Sequence, residues 1–289
     1  MNRRNFVLKS ILFSVTIGAP IVSSANEIFS PKSSSLNDFG IQLYSVREEM
    51  EKNPKATLKQ LAKFGYKNLE GYEGSKGLFW GMSNFEFKKY IEGLGLKMIA
   101  SHCNETDNLE SFRFKCSQAA EVGMDYLICP WVGGERNMET FLKHADTFNK
   151  CGQIAKSNGI KFAFHNHDYT FKKDKGAFLQ DVLMRNTDPS LVDFEMDIYW
   201  VVVAGEDPME WFDKYPNRFK YCHIKDYLKL ENGHETCTLG TGSIDFQKII
   251  SYGAKKGLET FIVEQESYRG SSPMEAAKDN LNYMEKLRF

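Results

Sequence analysis

Short runs rich in β-branched and aromatic residues alternate along this chain with longer segments whose apolar residues recur at helical spacing, and the unit repeats about every thirty residues. The strand-like runs are Gly40 to Tyr44, Tyr66 to Gly71, Lys97 to His102, Tyr126 to Pro130, Lys161 to His165, Leu191 to Met196, Tyr221 to Ile224 and Thr260 to Glu264. Helical patterns fill the gaps: Pro54 to Phe64, Asn84 to Leu94, Glu110 to Val122, Met138 to Ser157, Ala177 to Arg185, Pro208 to Lys214, Asp245 to Lys256 and Pro273 to Leu287. Gly65, Gly95, Gly123, Gly159 and Gly257 each stand just before the next strand, where a left-handed helix stop favours glycine. Eight βα units with right-handed crossovers close most simply into a single-domain α/β fold, the (β/α)8 TIM barrel. A doubly wound open sheet would place a Gly-rich loop after the first strand, and Gln42 to Arg47 contains no glycine.

The pattern does not begin at residue 1. Arg3, Arg4 and Lys9 lead into an apolar run from Ile11 to Val22, and Ser23-Ser24-Ala25 follows. A basic head, an apolar stretch too short to span a bilayer and a small-residue cleavage site predict an export signal over 1–25. Residues 3–9 also resemble a twin-arginine signal, without the usual Ser or Thr before the arginines. Residues 26–38, rich in Ser, Asn, Pro and Lys, read as a flexible linker, so the barrel is expected over 39–289. These features predict an exported, periplasmic protein with no stable membrane insertion once the signal is removed.

Charge is nearly balanced, 37 Lys and Arg against 38 Asp and Glu, and loss of the leader cations leaves the mature chain near −4. That composition speaks against nucleic acid as a partner. A homo-oligomer is compatible with it. The six cysteines are scattered without a CxxC pair; they read as small buried hydrophobes, with a disulfide as the alternative.

In a barrel, residues at the C-terminal strand ends converge on one site. Strand five ends in His165-Asn166-His167-Asp168, strand six in Asp197, strand seven in His223-Ile224-Lys225-Asp226 and strand eight in Glu264-Gln265-Glu266. His165, Asp197, His223 and Glu264 are spaced by 32, 26 and 41 residues, close to one unit each. Two carboxylates with one or two imidazoles suit one divalent ion of Mn, Mg, Co, Fe or Zn. His165 is the ligand on spacing; His167, nearer the rim, is a second ligand candidate or touches substrate. His144 and His234 read as inert surface residues.

Together with Gly40 to Arg47 and Asp197-Ile198-Tyr199-Trp200, these segments resemble the xylose isomerase-like barrels known as sugar phosphate isomerases/epimerases, over nearly all of the mature chain. The resemblance implies Asp197, His223 and Glu264 as three of four ligands. The fourth is a glutamate in the epimerases, and His165 stands there instead. That glutamate also serves there as one of two acid-base carboxylates, so a symmetrical two-carboxylate epimerisation is not implied. The branch with His-Asn-His-Asp includes exported proteins of glycan-degrading bacteria, some of them acting on 3-keto-sugars as eliminases or hydratases.

The function expected is isomerisation or epimerisation of a keto-sugar by proton abstraction next to a carbonyl, through an enediolate that a divalent cation stabilises. Alternatives are a 3-keto-glycoside lyase or hydratase on the same site and, in another class, a non-catalytic sugar-binding barrel. Glu264, His167 and Lys225 are the catalytic candidates: Glu264 as base, His167 as proton partner, and Lys225 beside a developing oxyanion or paired with Asp226 or Glu195. A small carbohydrate would meet Gln42, Glu70, His102, Trp131 and Trp200, with Tyr44 and Tyr72 as further aromatic faces and Trp80 as a lid.

Overall fold

Every predicted strand run forms a strand, and each pairs in parallel with the next until the last closes on the first. They are β1 (Phe39–Gln42), β2 (Asn68–Tyr72), β3 (Lys97–His102), β4 (Tyr126–Cys129), β5 (Lys161–His165), β6 (Val192–Asp197), β7 (Phe219–Ile224) and β8 (Thr260–Val263). Helices cross between them, giving the TIM barrel that the repeat predicts. The computed structural model describes residues 39–104 and 108–288. The expected leader (1–25) and linker (26–38) lie outside the described residues. No helix among the described residues is long and apolar enough to cross a membrane.

Local chemistry sets the element ends. Asn53, Asn108, Asn137 and Asp245 accept backbone N–H groups at helix starts, and Ser83 and Ser272 form reciprocal capping boxes with Glu86 and Glu275. The five predicted stop glycines all have positive φ, from 72° at Gly95 to 123° at Gly65. β1 ends two residues early because Gln42 caps a 3-10 turn, Leu43–Val46, by accepting from the Tyr44 N–H at 3.1 Å. The helix expected from Ala177 begins instead at Leu179. Ala177–Phe178 pairs with Lys173–Asp174 across a tight turn in which Lys175 and Gly176 are left-handed, φ 50° and 84°. Further elements also go beyond the sequence expectation, among them the helices Arg47–Lys52 and Ile198–Val203 and the hairpin Asp226–Leu230 with Gly233–Cys237.

The pleat of each strand sends alternate residues into the barrel. One buried cluster of Ile99, Ala100, Tyr126, Ile128, Ala163, Tyr221 and Ile262 packs apart from the larger core around it. Two residues further along the same strand faces come the site residues: His102 after Ala100, His165 after Ala163, His223 after Tyr221 and Glu264 after Ile262. All six thiols are free and five are buried, so the disulfide alternative is replaced by packing.

Candidate metal and sugar site

The inward register of β6 stacks Asp193, Glu195 and Asp197, and that of β7 and its exit stacks Tyr221, His223 and Lys225. Asp197 is pinned twice. Its Oδ1 accepts the Trp200 N–H at 3.2 Å as the N-cap of helix Ile198–Val203. Its backbone exchanges two 3.2 Å hydrogen bonds with the buried amide of Asn166 on the neighbouring strand exit. The remaining oxygen, Oδ2, stands 3.7 Å from His165 Nε2, 3.9 Å from His223 Nδ1 and 3.3 Å from Lys225 Nζ. Glu264 Oε2 lies 3.0 Å from both His223 Nδ1 and Lys225 Nζ.

The far nitrogens of the same two imidazoles are held by carboxylates. His165 Nδ1 donates to Glu195 Oε2 at 2.9 Å, and His223 Nε2 to Glu70 Oε1 at 2.7 Å. His102 Nε2 joins both acids, 2.9 Å from Glu195 and 3.3 Å from Glu70. Carboxylates in this position fix ring orientation and tautomer, leaving His165 Nε2 and His223 Nδ1 turned toward Asp197 and Glu264. Among the described residues, two groups of side chains have ligand atoms close enough to hold a metal ion: Asp197, His223 and Glu264, and below them His102, His165, Glu195 and His223. Their donors are oxygen and imidazole nitrogen, a set that suits a divalent transition ion. Glu70 Oε2 and Glu195 Oε1 are buried without a hydrogen-bond partner, so the acids exceed the protein donors that reach them.

Burial and this crowding push protonation in opposite directions. Burial, with the Glu195 carboxylate, pushes Glu70 up to about 7, and burial pushes Asp197 up to about 6 against the pull of Lys225. Burial drops His165 to about 3 and holds His167 well below the usual imidazole range. Burial opposes charge on His223, yet Glu195, Glu264 and Glu70 outweigh it and hold its pKa well up. The same imidazolium and its neighbours overcome burial to keep Glu195 low, and Lys225 with His223 does so for Glu264.

A cavity of about 260 Å³ opens over this cluster, with His102, His165, His167, Lys225, Glu264 and Glu266 on its lining. Tyr44, 38% exposed, and Trp131, 55% exposed, stand at its mouth together with Tyr72. Trp131 is braced by Arg136, whose guanidinium lies 4.8 Å from its ring centre and 3.7 Å from that of Tyr169. His167 Nδ1 is buried without a partner.

Several expected roles shift. Gln42 and Glu70 are fully buried beneath the cavity rather than lining it; Gln42 donates to Glu70 at 2.7 Å, and Glu70 serves His223. Trp200 does not line the cavity but packs 5.4 Å from the His167 ring. Trp80 is no lid: it is 3% exposed, with its ring against Tyr72 and Phe87. Lys225 pairs with neither Asp226 nor Glu195 but with Asp197, Glu264 and Glu266. Asp226 instead collects the N–H groups of Tyr227, Gly240, Gly242 and Ile244. His144 and His234 stay outside the cluster, and His234 meets Tyr199 Oη at 2.6 Å. Glu195, Glu266 and Asn166 were not among the expected site residues. The two glutamates were detectable as the i±2 neighbours of Asp197 and Glu264.

The model of the xylose isomerase-like TIM barrel family matches residues 58–287. The chain belongs to that family. A solved structure from Parabacteroides distasonis ATCC 8503, described as a sugar phosphate isomerase/epimerase, is 28% identical with a TM-score of 0.74, over 90% of this chain and 97% of that one. An inosose dehydratase of Clostridium beijerinckii is 30% identical over 159 residues, 50% of this chain and 49% of the relative. The alignment thus spans about half the length of that curated relative. A structure described as IOLI protein with a binding zinc atom, 16% identical with a TM-score of 0.68 over 85% of this chain and 95% of that one, shares the fold.

Proposed function

We propose that this chain is a divalent-metal-dependent isomerase or epimerase of a keto-sugar or keto-polyol, working by removal of a proton next to the carbonyl. One observation carries the reading: Asp197, His223 and Glu264, from three successive barrel strands or their exits, bring ligand atoms close enough together to hold one ion beside the cavity, and His165 on the preceding strand has its Nε2 3.7 Å from Asp197 Oδ2. Those four residues would hold the ion, with Glu195 and Glu70 orienting the two imidazoles. When bound, a divalent ion supplies Lewis acidity toward a carbonyl and an adjacent hydroxyl.

The remaining chemistry belongs to side chains of the cavity. Glu264, kept ionised by Lys225 and His223, is the base that can take the proton. His167 lines the cavity, and burial holds its pKa well below the usual imidazole range, so a neutral ring is available to exchange a proton with a substrate hydroxyl or leaving oxygen. Trp131 and Tyr44 offer flat faces to the C–H groups of a sugar ring.

A second reading, a lyase that eliminates water or an alkoxide from the carbon beyond the carbonyl, draws on a specific feature. His165 supplies an imidazole where a two-base epimerase needs a second carboxylate, and the Clostridium relative is named a dehydratase. The basic head and apolar run of residues 1–25 support a location outside the cytoplasm for either enzyme, as part of the proposal. Elemental analysis of the purified chain beside His223→Ala and Glu264→Ala is the first test. About one equivalent of divalent metal is expected, lost in both variants, and retention in either removes the site assignment. Keto-sugars and 3-keto-glycosides incubated in deuterated water then separate the two reactions. Isomerase or epimerase products keep the substrate mass apart from deuterium at the exchanged carbon, whereas a lyase releases water or an alcohol.

A further inference from the structure

Lys225 is the strongest unexplained feature of the site. Its side chain is 1% exposed, and a buried ammonium requires paired acids. It has three: Asp197 Oδ2 at 3.3 Å, Glu264 Oε2 at 3.0 Å, and Glu266. The first two are the oxygens that the proposed ion would use, since they also face His223 Nδ1. An ammonium and a divalent ion on the same pair of oxygens would repel each other inside a buried, weakly screened pocket.

The ammonium has further partners that the ion would not use. Glu266 is one-third exposed on the cavity lining and belongs to neither group of potential ligands. The Nζ also lies 5.3 Å from the ring centres of both Tyr199 and Trp200, close enough for cation–π attraction. The four-carbon stem of lysine allows it to leave the two acids for these partners without backbone movement.

We propose that Lys225 is an exchangeable counter-ion: its ammonium occupies the Asp197–Glu264 pair in the metal-free protein, and an entering divalent ion displaces it from that pair, leaving it held by Glu266 and the faces of Tyr199 and Trp200. Lys225 therefore holds the acid cluster together before loading, weakens metal affinity, and is released from the two acids to the cavity side as loading occurs. The inference rests on the metal reading above.

Two measurements test it. Calorimetric titration with Mn²⁺, at one pH and ionic strength, should show Lys225→Met binding at least about tenfold more tightly than the wild type, the scale on which residues around a ligand shell act. Equal or weaker binding overturns the exchange. Limited acetylation followed by mass spectrometry uses the unmodified sequence, so it decides even where Lys225→Met fails to fold. Lys225 should be labelled several-fold faster with Mn²⁺ than without. Tighter binding in the variant with unchanged labelling in the wild type would mean repulsion without displacement, and overturns the proposal too. Failure of the metal reading looks different: neither the wild type nor Lys225→Met would take up Mn²⁺ or Zn²⁺. Uptake by Lys225→Met alone would mean that the ion cannot displace the ammonium, and overturns the exchange as well.

Discussion

At the scale of single residues, the site is two layers of side chains rather than a ring of four. Asp197, His223 and Glu264 were legible as strand-end acids and imidazoles, because strand ends in a barrel converge. The role of the supporting acids was not, because nothing in a one-dimensional pattern tells a carboxylate that touches an ion from one that touches the ligand behind it. Glu195 is the example. It sits two residues before Asp197 on the same face, but its partners His102, His165 and His223 come from three other strands. Glu195→Gln should keep the fold yet lower divalent metal affinity about 10–100-fold, read by competition with a chromophoric chelator. Unchanged affinity would mean that His165 needs no orienting partner. The pH dependence follows from the same residues. Asp197, raised to about 6, and His223, held up by three carboxylates, still carry protons at pH 5 in the metal-free protein. Both must release them to bind an ion. Affinity should therefore fall as pH drops through about 6, and binding near neutrality should release protons. Calorimetry in two buffers of different ionisation enthalpy counts those protons, and a count of zero contradicts the shared ligand set.

Among the elements, glycine stops and side-chain caps were readable because each is a local device with its own residue type. The hairpin after β7 was not, since Asp226 to Cys237 lacks strong apolar alternation and its base is tied to the following loop by a single side chain. The carboxylate of Asp226 makes that tie, with Oδ1 and Oδ2 each accepting two backbone N–H groups at 2.8–3.3 Å. Asp226→Asn keeps the shape but turns one acceptor into a donor facing N–H groups. It should cost about 2–4 kcal/mol, seen as a lower melting temperature, while metal content stays that of the wild type. Loss of metal with unchanged melting would return Asp226 to the role of a Lys225 partner. Helix Met138–Ser157 makes a comparable close approach, where a Cβ on Gly152 would sit 2.4 Å from the Leu191 carbonyl oxygen. Gly152→Ala should therefore destabilise by about 1–3 kcal/mol, in denaturant melts with unchanged slope.

For the whole molecule, the division of labour around the barrel matters more than any one contact. β5 to β8 and their exits supply the proposed ligands, whereas β1 to β3 supply Gln42, Glu70 and His102, which tie the opposite wall to the same imidazoles. The barrel itself was legible from the repeat, because the period of a βα unit is a property of chain length and alternation. The substrate was not, because the cavity is walled by aromatic residues such as Tyr44, Tyr72 and Trp131, whose flat faces suit many sugars alike. An ion bound across four strands stabilises only the closed barrel, so it should act as a staple through mass action. At a free metal concentration one hundred times Kd the gain is about 2.7 kcal/mol, which for a domain of this size raises the melting temperature by roughly 5–10 °C. The rise should grow with the logarithm of metal concentration, vanish with a chelator, and be absent in His223→Ala. A rise of equal size in that variant would place the binding elsewhere on the protein, and the convergence of strands β5 to β8 would then need a role in folding instead of metal capture.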